Sequence, residues 1–257
     1  MLIISKTDGD IVKVNPKIVL FDKDGTLIDI HHYWSSIIRI RSTMIVDQWF
    51  SNHREKNRIE TELIDAMGVD LFSGKIKVTG PVGIQSRKFM VNVASSVVRL
   101  NGINIQDNEM EEIFLEVDKE TARNLSPLLR ILPGVFNLLK NLETIGVSMA
   151  VVSTDISSRT LLAMRTLKID HFFTEIIGGD EVKNTKPSPD LALLVSKKTG
   201  INVDSMMVIG DAAVDIEMGL SAGIYSNIGV LTGLSDIKAF ENLNCIVINN
   251  LKSIEVE

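Results

Sequence analysis

The stretch that decides the fold is residues 18–26, with the sequence IVLFDKDGT. Four apolar residues in a row are typical of a short strand that is buried on both faces, as in the parallel sheets of α/β proteins. The run stops at Asp22, and a second carboxylate, Asp24, follows two residues later. Because the ligands of an open parallel sheet bind beyond the carboxyl ends of its strands, this boundary is a candidate functional site.

Two more apolar runs end in the same way. Residues 147–152 are followed by Ser153-Thr154-Asp155, and residues 206–209 are followed by Gly210-Asp211. Helical spacing of apolar residues accompanies these runs at 135–142, 158–168, 189–199 and 213–222, and residues 245–248 predict a last edge strand. The alternation predicts an α/β fold with a doubly wound, Rossmann-like parallel sheet.

The pattern changes between residues 30 and 126. Helices are expected there around 34–45, 58–67, 87–100 and 108–124, with strand-like alternation only at 75–78. We therefore expect a helical domain at 30–126, inserted into a core made of residues 1–29 and 127–257. Within the core, residues 1–15 predict a β-hairpin extension, because Asp8-Gly9 lies between two apolar stretches.

The composition excludes several classes of protein. The 257 residues include 27 Lys and Arg against 33 Asp and Glu, a net charge of −6 that argues against a nucleic-acid partner. Hydrophobic residues make up 45 %, enough for a full core. Cys245 is the single cysteine, and no apolar run reaches membrane-spanning length. We expect no signal peptide, because residues 1–10 are too short and too polar for one. We expect a soluble, cytoplasmic protein with no membrane partner.

Several chemically suited residues are expected to converge at the strand ends. A carboxylate such as Asp22 can attack phosphorus, and a second one such as Asp24 can exchange protons with the leaving oxygen. Asp211 adds a Mg²⁺ ligand, and Lys186 and Ser153 offer contacts for an anionic oxygen. An EF-hand calcium loop fails, because placing Gly25 at its glycine puts Leu20 and His31 at ligand positions. A glycosyltransferase metal motif would leave Lys186 and Gly210-Asp211 unexplained.

Taken together, the chain resembles the haloacid dehalogenase superfamily. The resemblance lies in four segments in the family's order: 22–27 (DKDGTL), 151–153 (VVS), 186–190 (KPSPD) and 210–215 (GDAAVD). The position and helical character of residues 30–126 resemble the C1 cap of phosphoglycolate phosphatase-like and β-phosphoglucomutase-like members.

The resemblance implies a catalytic and metal-binding role for three residues. Asp22 would be the nucleophile and a Mg²⁺ ligand. Asp24 would be the general acid and base, with its backbone carbonyl on the metal. Asp211 would be the remaining carboxylate ligand.

The resemblance also implies a phosphate-binding set and a supporting set. The phosphate-binding residues would be Gly25, Ser153, Thr154 and Lys186, and the supporting residues would be Thr26 and Asp215. Thr154 occupies a position where many relatives have Asn, and Lys23 replaces an apolar residue and is expected to point away from the site.

Three residues of the inserted segment are candidate specificity contacts: His31, Gly80 and Arg87. His31 lies at the crossing from core to insertion, and Arg87 follows the loop 80–83 closely. Hinge packing for His31 and a solvated position for Arg87 are the alternative interpretations.

These features predict a Mg²⁺-dependent phosphatase that hydrolyses a small phosphomonoester metabolite through an aspartyl-phosphate. The resemblance makes phosphoglycolate-like and sugar-phosphate substrates plausible. A phosphomutase of the β-phosphoglucomutase type is one alternative, and a catalytically weak phosphate-binding or regulatory protein is another. The sequence leaves the oligomeric state open.

Overall fold

A computed structural model describes residues 1–82 and 85–257 of the chain. The residues group into two compact units. The core unit comprises Met1–Asp29 and Leu129–Glu257, and the inserted unit comprises Ile30–Leu128.

The regular elements are numbered in chain order. The strands are β1 (Leu2–Ser5), β2 (Ile11–Val14), β3 (Ile18–Phe21), β4 (Ser148–Val152), β5 (Glu175–Ile177), β6 (Met206–Gly210), β7 (Ser226–Val230), β8 (Ile246–Ile248) and β9 (Ile254–Val256). The α-helices are α1 (Ile30–Trp49), α2 (Lys56–Ala66), α3 (Arg87–Leu100), α4 (Asp107–Arg123), α5 (Val135–Thr144), α6 (Ser157–Thr166), α7 (Asp190–Thr199) and α8 (Ala213–Ser221).

The core unit is built on a six-stranded parallel sheet with the order β5-β4-β3-β6-β7-β8. Strand β3 lies between β4 and β6, and Ile18 pairs with Ser148 on one side and with Met206 on the other. All four residues of β3 are fully buried, as a strand covered on both faces requires. The predicted α/β class with a doubly wound sheet is confirmed.

One face of this sheet packs on α7 and α8. Alternate residues of β3, Ile18 and Leu20, join a buried cluster with Leu191 and Val195 of α7 and Met218 of α8. Their strand neighbours point to the opposite face because side chains alternate along a strand. These contacts bury this face of the sheet against the two helices.

Two strands of the parallel sheet had no sequence signal that we recognised. Strand β5 has only three residues, and β7 (SNIGV) contains Ser, Asn and Gly, which are poor strand formers. Asn227 of β7 is nevertheless 1 % exposed, and its Nδ2 donates to Ile224 O at 2.6 Å. Tertiary packing, rather than local propensity, makes these segments strands.

A small antiparallel sheet with the order β2-β1-β9 completes the core unit. Leu2 pairs with Val14 in the hairpin and with Val256 near the end of the chain. The hairpin expected at 1–15 is thus extended by a third strand from the opposite terminus. No local pattern indicates that pairing, because it joins residues far apart in the sequence.

The inserted unit is helical, with α1 to α4 as its main elements. The strand-like segment at 75–78 is represented in the described part of this unit by an isolated bridge between Val69 and Ile76. A search of the described residues finds no helix that is both long and apolar enough to cross a membrane.

The central strand should dominate the stability of the core unit. Leu20→Ala removes a fully buried side chain from β3 and should lower the free energy of unfolding by about 2–5 kcal/mol. Urea denaturation followed by circular dichroism measures the effect. Ile11→Ala, at a position 65 % exposed, is the control and should change stability by less than about 0.5 kcal/mol. Equal effects of the two substitutions would contradict this account of the core.

Candidate active site

The candidate site lies at the carboxyl ends of adjacent strands. Asp22 directly follows β3, Ser153 follows β4, and Asp211 follows β6. The backbone N–H of Asp22 donates to Ile209 O of β6 at 2.9 Å, which continues the sheet pairing to the first residue beyond the strand. The sheet order therefore brings together three residues that are far apart in the sequence.

Lys186 forms the electrostatic centre of the site. Its Nζ lies 2.5 Å from Asp22 Oδ1 and 2.6 Å from Asp215 Oδ1, and its side chain is 1 % exposed. The loop between β5 and α7 delivers this lysine from a position 164 residues after Asp22. An ammonium buried this deeply is stable only with anionic partners, so the two carboxylates and the lysine hold each other in place.

Asp215 has both a structural and an electrostatic partner. It lies in the first turn of α8, where its Oδ2 accepts a hydrogen bond from the N–H of Ala212 at 3.0 Å. Its other carboxylate oxygen contacts Lys186. The helix start thus aims this carboxylate toward Lys186, so Asp215 both caps α8 and supports the site.

Asp211 is held by a loop that no sequence motif had indicated. Leu234 N–H donates to Asp211 Oδ2 at 3.3 Å, and the hydroxyl of Thr232 donates to Gly25 O at 2.6 Å. A Cβ at Gly233 would overlap the Asp211 carboxylate, so only glycine fits this close approach. The Thr-Gly pair after β7 was the available signal, although it indicates a turn rather than a site.

Burial and mutual repulsion disfavour the charged forms of these carboxyls. Burial, together with the charge of Asp215, raises the pKa of Asp22 to about 6, although the ammonium of Lys186 opposes the shift. Burial and the charge of Asp22 also raise the pKa of Asp211 well above its usual range. The cluster would therefore gain from additional positive charge.

The donor set fits a magnesium ion. Asp22, Asp211 and Asp215 can each present one carboxylate oxygen such that these atoms lie within 4.8 Å of one another. Carboxylate oxygens are the protein ligands that Mg²⁺ prefers, and a dication would offset the repulsion among them. Asp22 and Asp211 belong to the ligand set implied by the resemblance, and the geometry adds the Asp215 side chain to the candidates.

Lys23 points toward Asp24, so the expectation that it points away from the site is wrong. Its Nζ lies 3.1 Å from Asp24 Oδ2 and 2.8 Å from Asp155 Oδ2, with the side chain 5 % exposed. Buried ammonium groups need anionic partners, and these two carboxylates are within its reach. Burial raises the pKa of Asp24 above its usual range, and the charge of Lys23 opposes that rise.

Gly25 serves the turn after β3 rather than offering its N–H to a ligand. Its φ is +89°, and a Cβ there would overlap the Asp211 carboxylate, so the position requires glycine. Its N–H donates to Ile28 O at 2.8 Å. The resemblance places Gly25 among the phosphate-binding residues, but this hydrogen bond already uses its N–H within the turn.

The remaining predicted residues of the core unit lie in the loops that follow β3 and β4. Ser153 is 2 % exposed, and its Oγ accepts a hydrogen bond from the N–H of Asp155 at 3.1 Å, so the hydroxyl hydrogen can be donated to a ligand. Thr154 is exposed next to it, and Thr26 is fully buried.

The candidate specificity residues all belong to the inserted unit. His31 is the second residue of α1 and is half-buried, and Gly80 N–H donates to Lys77 O at 2.9 Å. Arg87 begins α3, and its guanidinium pairs with Glu111 and Asp118. The positive charge of Arg87 is thus already paired with carboxylates of the inserted unit. Gly83 of the candidate loop 80–83 lies outside the described residues.

Comparison with known families gives one match that spans most of the chain. A family model for haloacid dehalogenase-like hydrolases matches residues 16–223. The matched region contains the three strand ends and Lys186.

Curated relatives have phosphatase names. A phosphorylated carbohydrates phosphatase of Thermotoga maritima is 30% identical over 142 residues, which are 55% of this chain and 65% of that protein. Phosphoglycolate phosphatase 1 of Pseudomonas aeruginosa is 26% identical over 209 residues, 81% of this chain and 67% of that protein. The matches thus span about two thirds of the length of these relatives.

Solved structures share the fold. A candidate β-phosphoglucomutase of Thermotoga maritima superposes with a TM-score of 0.65 at 23% identity, covering 91% of this chain and 94% of that one. A subfamily IA hydrolase of the same superfamily from Geobacter sulfurreducens gives 0.64 at 17% identity, covering 94% and 97%.

Magnesium should stabilise the folded protein through the acidic cluster. At a free concentration 100 times the Kd, binding contributes about 2.7 kcal/mol, which raises the Tm by several degrees. Asp211→Asn should remove this shift without lowering the Tm of the metal-free protein, because the buried carboxylate it replaces is unfavourable there. Differential scanning calorimetry with and without MgCl₂ measures both effects.

Glu241→Gln, at an exposed position, is the matched control and should keep the full shift. A sample without MgCl₂, brought to the same ionic strength with NaCl, separates Mg²⁺ binding from general screening of the charges. A shift that persists in Asp211→Asn would place the ion elsewhere.

Proposed function

This chain belongs to the haloacid dehalogenase-like hydrolase family, and from that premise we propose that it is a Mg²⁺-dependent phosphatase of small phosphomonoesters. The observation that carries the proposal is the buried contact of Lys186 with Asp22 and Asp215, with Asp211 in ligand range. A nucleophilic carboxylate, a phosphate-binding cation and a metal-binding cluster are the parts that phosphoryl transfer requires.

Asp22 is the nucleophile in this proposal. One of its carboxylate oxygens attacks phosphorus as the bond from phosphorus to the substrate oxygen breaks, which leaves an aspartyl-phosphate. With a pKa of about 6, the group is largely ionised at neutral pH and therefore able to attack. Lys186 orients the carboxylate through the 2.5 Å contact at Oδ1.

Asp24 is the proposed general acid and base. Burial raises the pKa of Asp24 above its usual range, although the charge of Lys23 opposes the rise, and the protonated carboxyl can protonate the leaving alkoxide. After that transfer, the ionised carboxylate can accept a proton from the water that attacks the aspartyl-phosphate. One residue then serves both half-reactions with opposite proton movements.

The transferring phosphoryl oxygens need donors, and the loops after β4 and β5 supply them. Lys186 offers its ammonium, and Ser153 can donate its hydroxyl hydrogen. Bound Mg²⁺ on Asp22, Asp211 and Asp215 would supply charge neutralisation for phosphate oxygens. The family membership and the carboxylate cluster support this cofactor.

The substrate is proposed to be a small phosphorylated acid or sugar. The names of the Thermotoga and Pseudomonas relatives, a phosphorylated carbohydrates phosphatase and a phosphoglycolate phosphatase, support this class. We also propose that the inserted unit Ile30–Leu128 acts as a cap whose residues select the non-phosphate part of the substrate.

Two substitutions test the roles of the carboxylates. Asp22→Asn removes the nucleophile and should abolish phosphate release from a panel of small phosphomonoesters in the presence of Mg²⁺. Asp24→Asn should lower the rate by about 10²–10⁴, the usual contribution of general acid–base catalysis. A colorimetric assay of inorganic phosphate measures both rates.

Asp204→Asn, at an exposed position of the core unit, is the control and should retain wild-type activity. Thermal melts of all three variants verify that they fold. Normal turnover by Asp22→Asn would refute the proposed mechanism, and absence of Mg²⁺-dependent turnover by the wild type would favour a phosphate-binding regulatory protein.

A phosphomutase could use the same carboxylates. We consider this second function because the candidate β-phosphoglucomutase of Thermotoga maritima shares the fold. The two differ in the acceptor of the phosphoryl group, which is water in one case and a sugar hydroxyl in the other. When the protein is incubated with a sugar 1-phosphate, we expect ³¹P NMR to show the release of inorganic phosphate. Formation of an isomeric sugar phosphate, with a catalytic amount of the bisphosphate present, would favour the mutase.

A further inference from the structure

We propose that Lys23 and Asp155 form a positioning pair that holds the Asp24 carboxyl in the orientation needed for proton transfer. The inference deepens the proposed function and rests on it, because it takes Asp24 as the group that protonates the leaving oxygen. Neither residue is in the set that contacts Lys186 or in the acidic metal-binding cluster.

The lysine is placed between two carboxylates from different loops. Lys23 lies in the loop after β3, and its Nζ donates to Asp155 Oδ2 at 2.8 Å in the loop after β4. The same Nζ is 3.1 Å from Asp24 Oδ2. One buried ammonium therefore links the candidate acid to the neighbouring strand end.

Asp155 is the fixed end of this link. Its Oδ1 accepts a hydrogen bond from the N–H of Ile156 at 2.8 Å, and its own N–H donates to Ser153 Oγ at 3.1 Å. Its carbonyl accepts from the N–H of Gly179 at 2.8 Å. With its backbone and one carboxylate oxygen held, Asp155 can restrain Lys23, and Lys23 can restrain Asp24.

Two ammonium groups contact different pairs of carboxylates. Lys186 contacts Asp22 and Asp215, whereas Lys23 contacts Asp24 and Asp155. This arrangement ties the candidate acid to a different anchor from the nucleophile. An apolar side chain could fill the space of Lys23 but could not orient Asp24.

The contact also selects the oxygen that carries the transferable proton. An ammonium has donors and no acceptor, so the Asp24 oxygen that it contacts, Oδ2, acts as an acceptor. The oxygen left to carry a proton is therefore Oδ1. From there the proton passes to the leaving oxygen as the substrate bond to phosphorus breaks and the Asp22–phosphorus bond forms.

The test compares two leaving groups in Lys23→Met. An alkyl phosphate needs a proton on its departing oxygen, whereas p-nitrophenolate leaves without one. We expect kcat/KM for the best alkyl substrate to fall about 10- to 100-fold, the scale of a misplaced catalytic group. The value for p-nitrophenyl phosphate should fall less than about threefold, because proton transfer contributes little to that step.

Lys198→Met is the matched control, because Lys198 also bridges two carboxylates, Glu175 at 3.2 Å and Glu181 at 3.0 Å. It should leave both values within about twofold of the wild type, as expected for an exposed ion pair. An equal loss for both substrates in Lys23→Met, or no loss for the alkyl substrate, would overturn the inference.

Asp155→Asn tests the residue that anchors Lys23, and it provides an independent test of the pair if Lys23→Met does not fold. It should reduce alkyl phosphate turnover selectively but less than Lys23→Met does. The double variant should be no slower than Lys23→Met alone, because the two residues act through one contact. Additive losses, or no selective loss in Asp155→Asn, would contradict a coupled pair.

A crystal structure of Lys23→Met gives a readout that does not depend on turnover. We expect the Asp24 carboxylate to leave its position while the contacts among Asp22, Lys186 and Asp215 persist. An unmoved Asp24 would overturn the inference. If the wild type hydrolyses neither substrate, the proposed function fails. The position of Asp24 in the Lys23→Met structure still decides whether Lys23 orients this carboxylate.

Discussion

The buried ammonium of Lys186, held between Asp22 and Asp215, is the constraint on which the site depends. Without these two carboxylates the ammonium would be a buried charge with no anionic partner, which is strongly unfavourable. Three segments must therefore meet at one point: the end of β3, the loop before α7 and the first turn of α8. The parallel sheet makes this possible because it aligns the carboxyl ends of neighbouring strands.

The candidate site places buried carboxylates close to one another. Burial and neighbouring carboxylates raise the pKa values of Asp22 and Asp211, so their charged forms are destabilised in the metal-free protein. A cation placed among these carboxylates would offset this repulsion.

The inserted unit has a polar cluster of its own that serves structure. Arg41 is 6 % exposed, its guanidinium carbon lies 4.1 Å from the ring centre of Phe114, and it pairs with Asp118. The guanidinium of Arg87 also lies near the Phe114 ring and pairs with Asp118. The two arginines thus stabilise the contact between α4 and its neighbours, which explains why a cationic residue near a loop is weak evidence for a substrate contact.

The sequence alone predicted the fold class, the family resemblance and the placement of Asp22, Lys186 and Asp211 together at the strand ends, because short apolar runs and the motifs behind them are local patterns. Only the tertiary structure decided which groups contact each other. It paired Lys23 with Asp24 and Asp155, assigned the N–H of Gly25 to a turn, and placed Leu234 on Asp211. It also made strands of β5, β7 and β9. The physical reason is that hydrogen bonds and ion pairs depend on the three-dimensional approach of distant segments, which local periodicity does not encode.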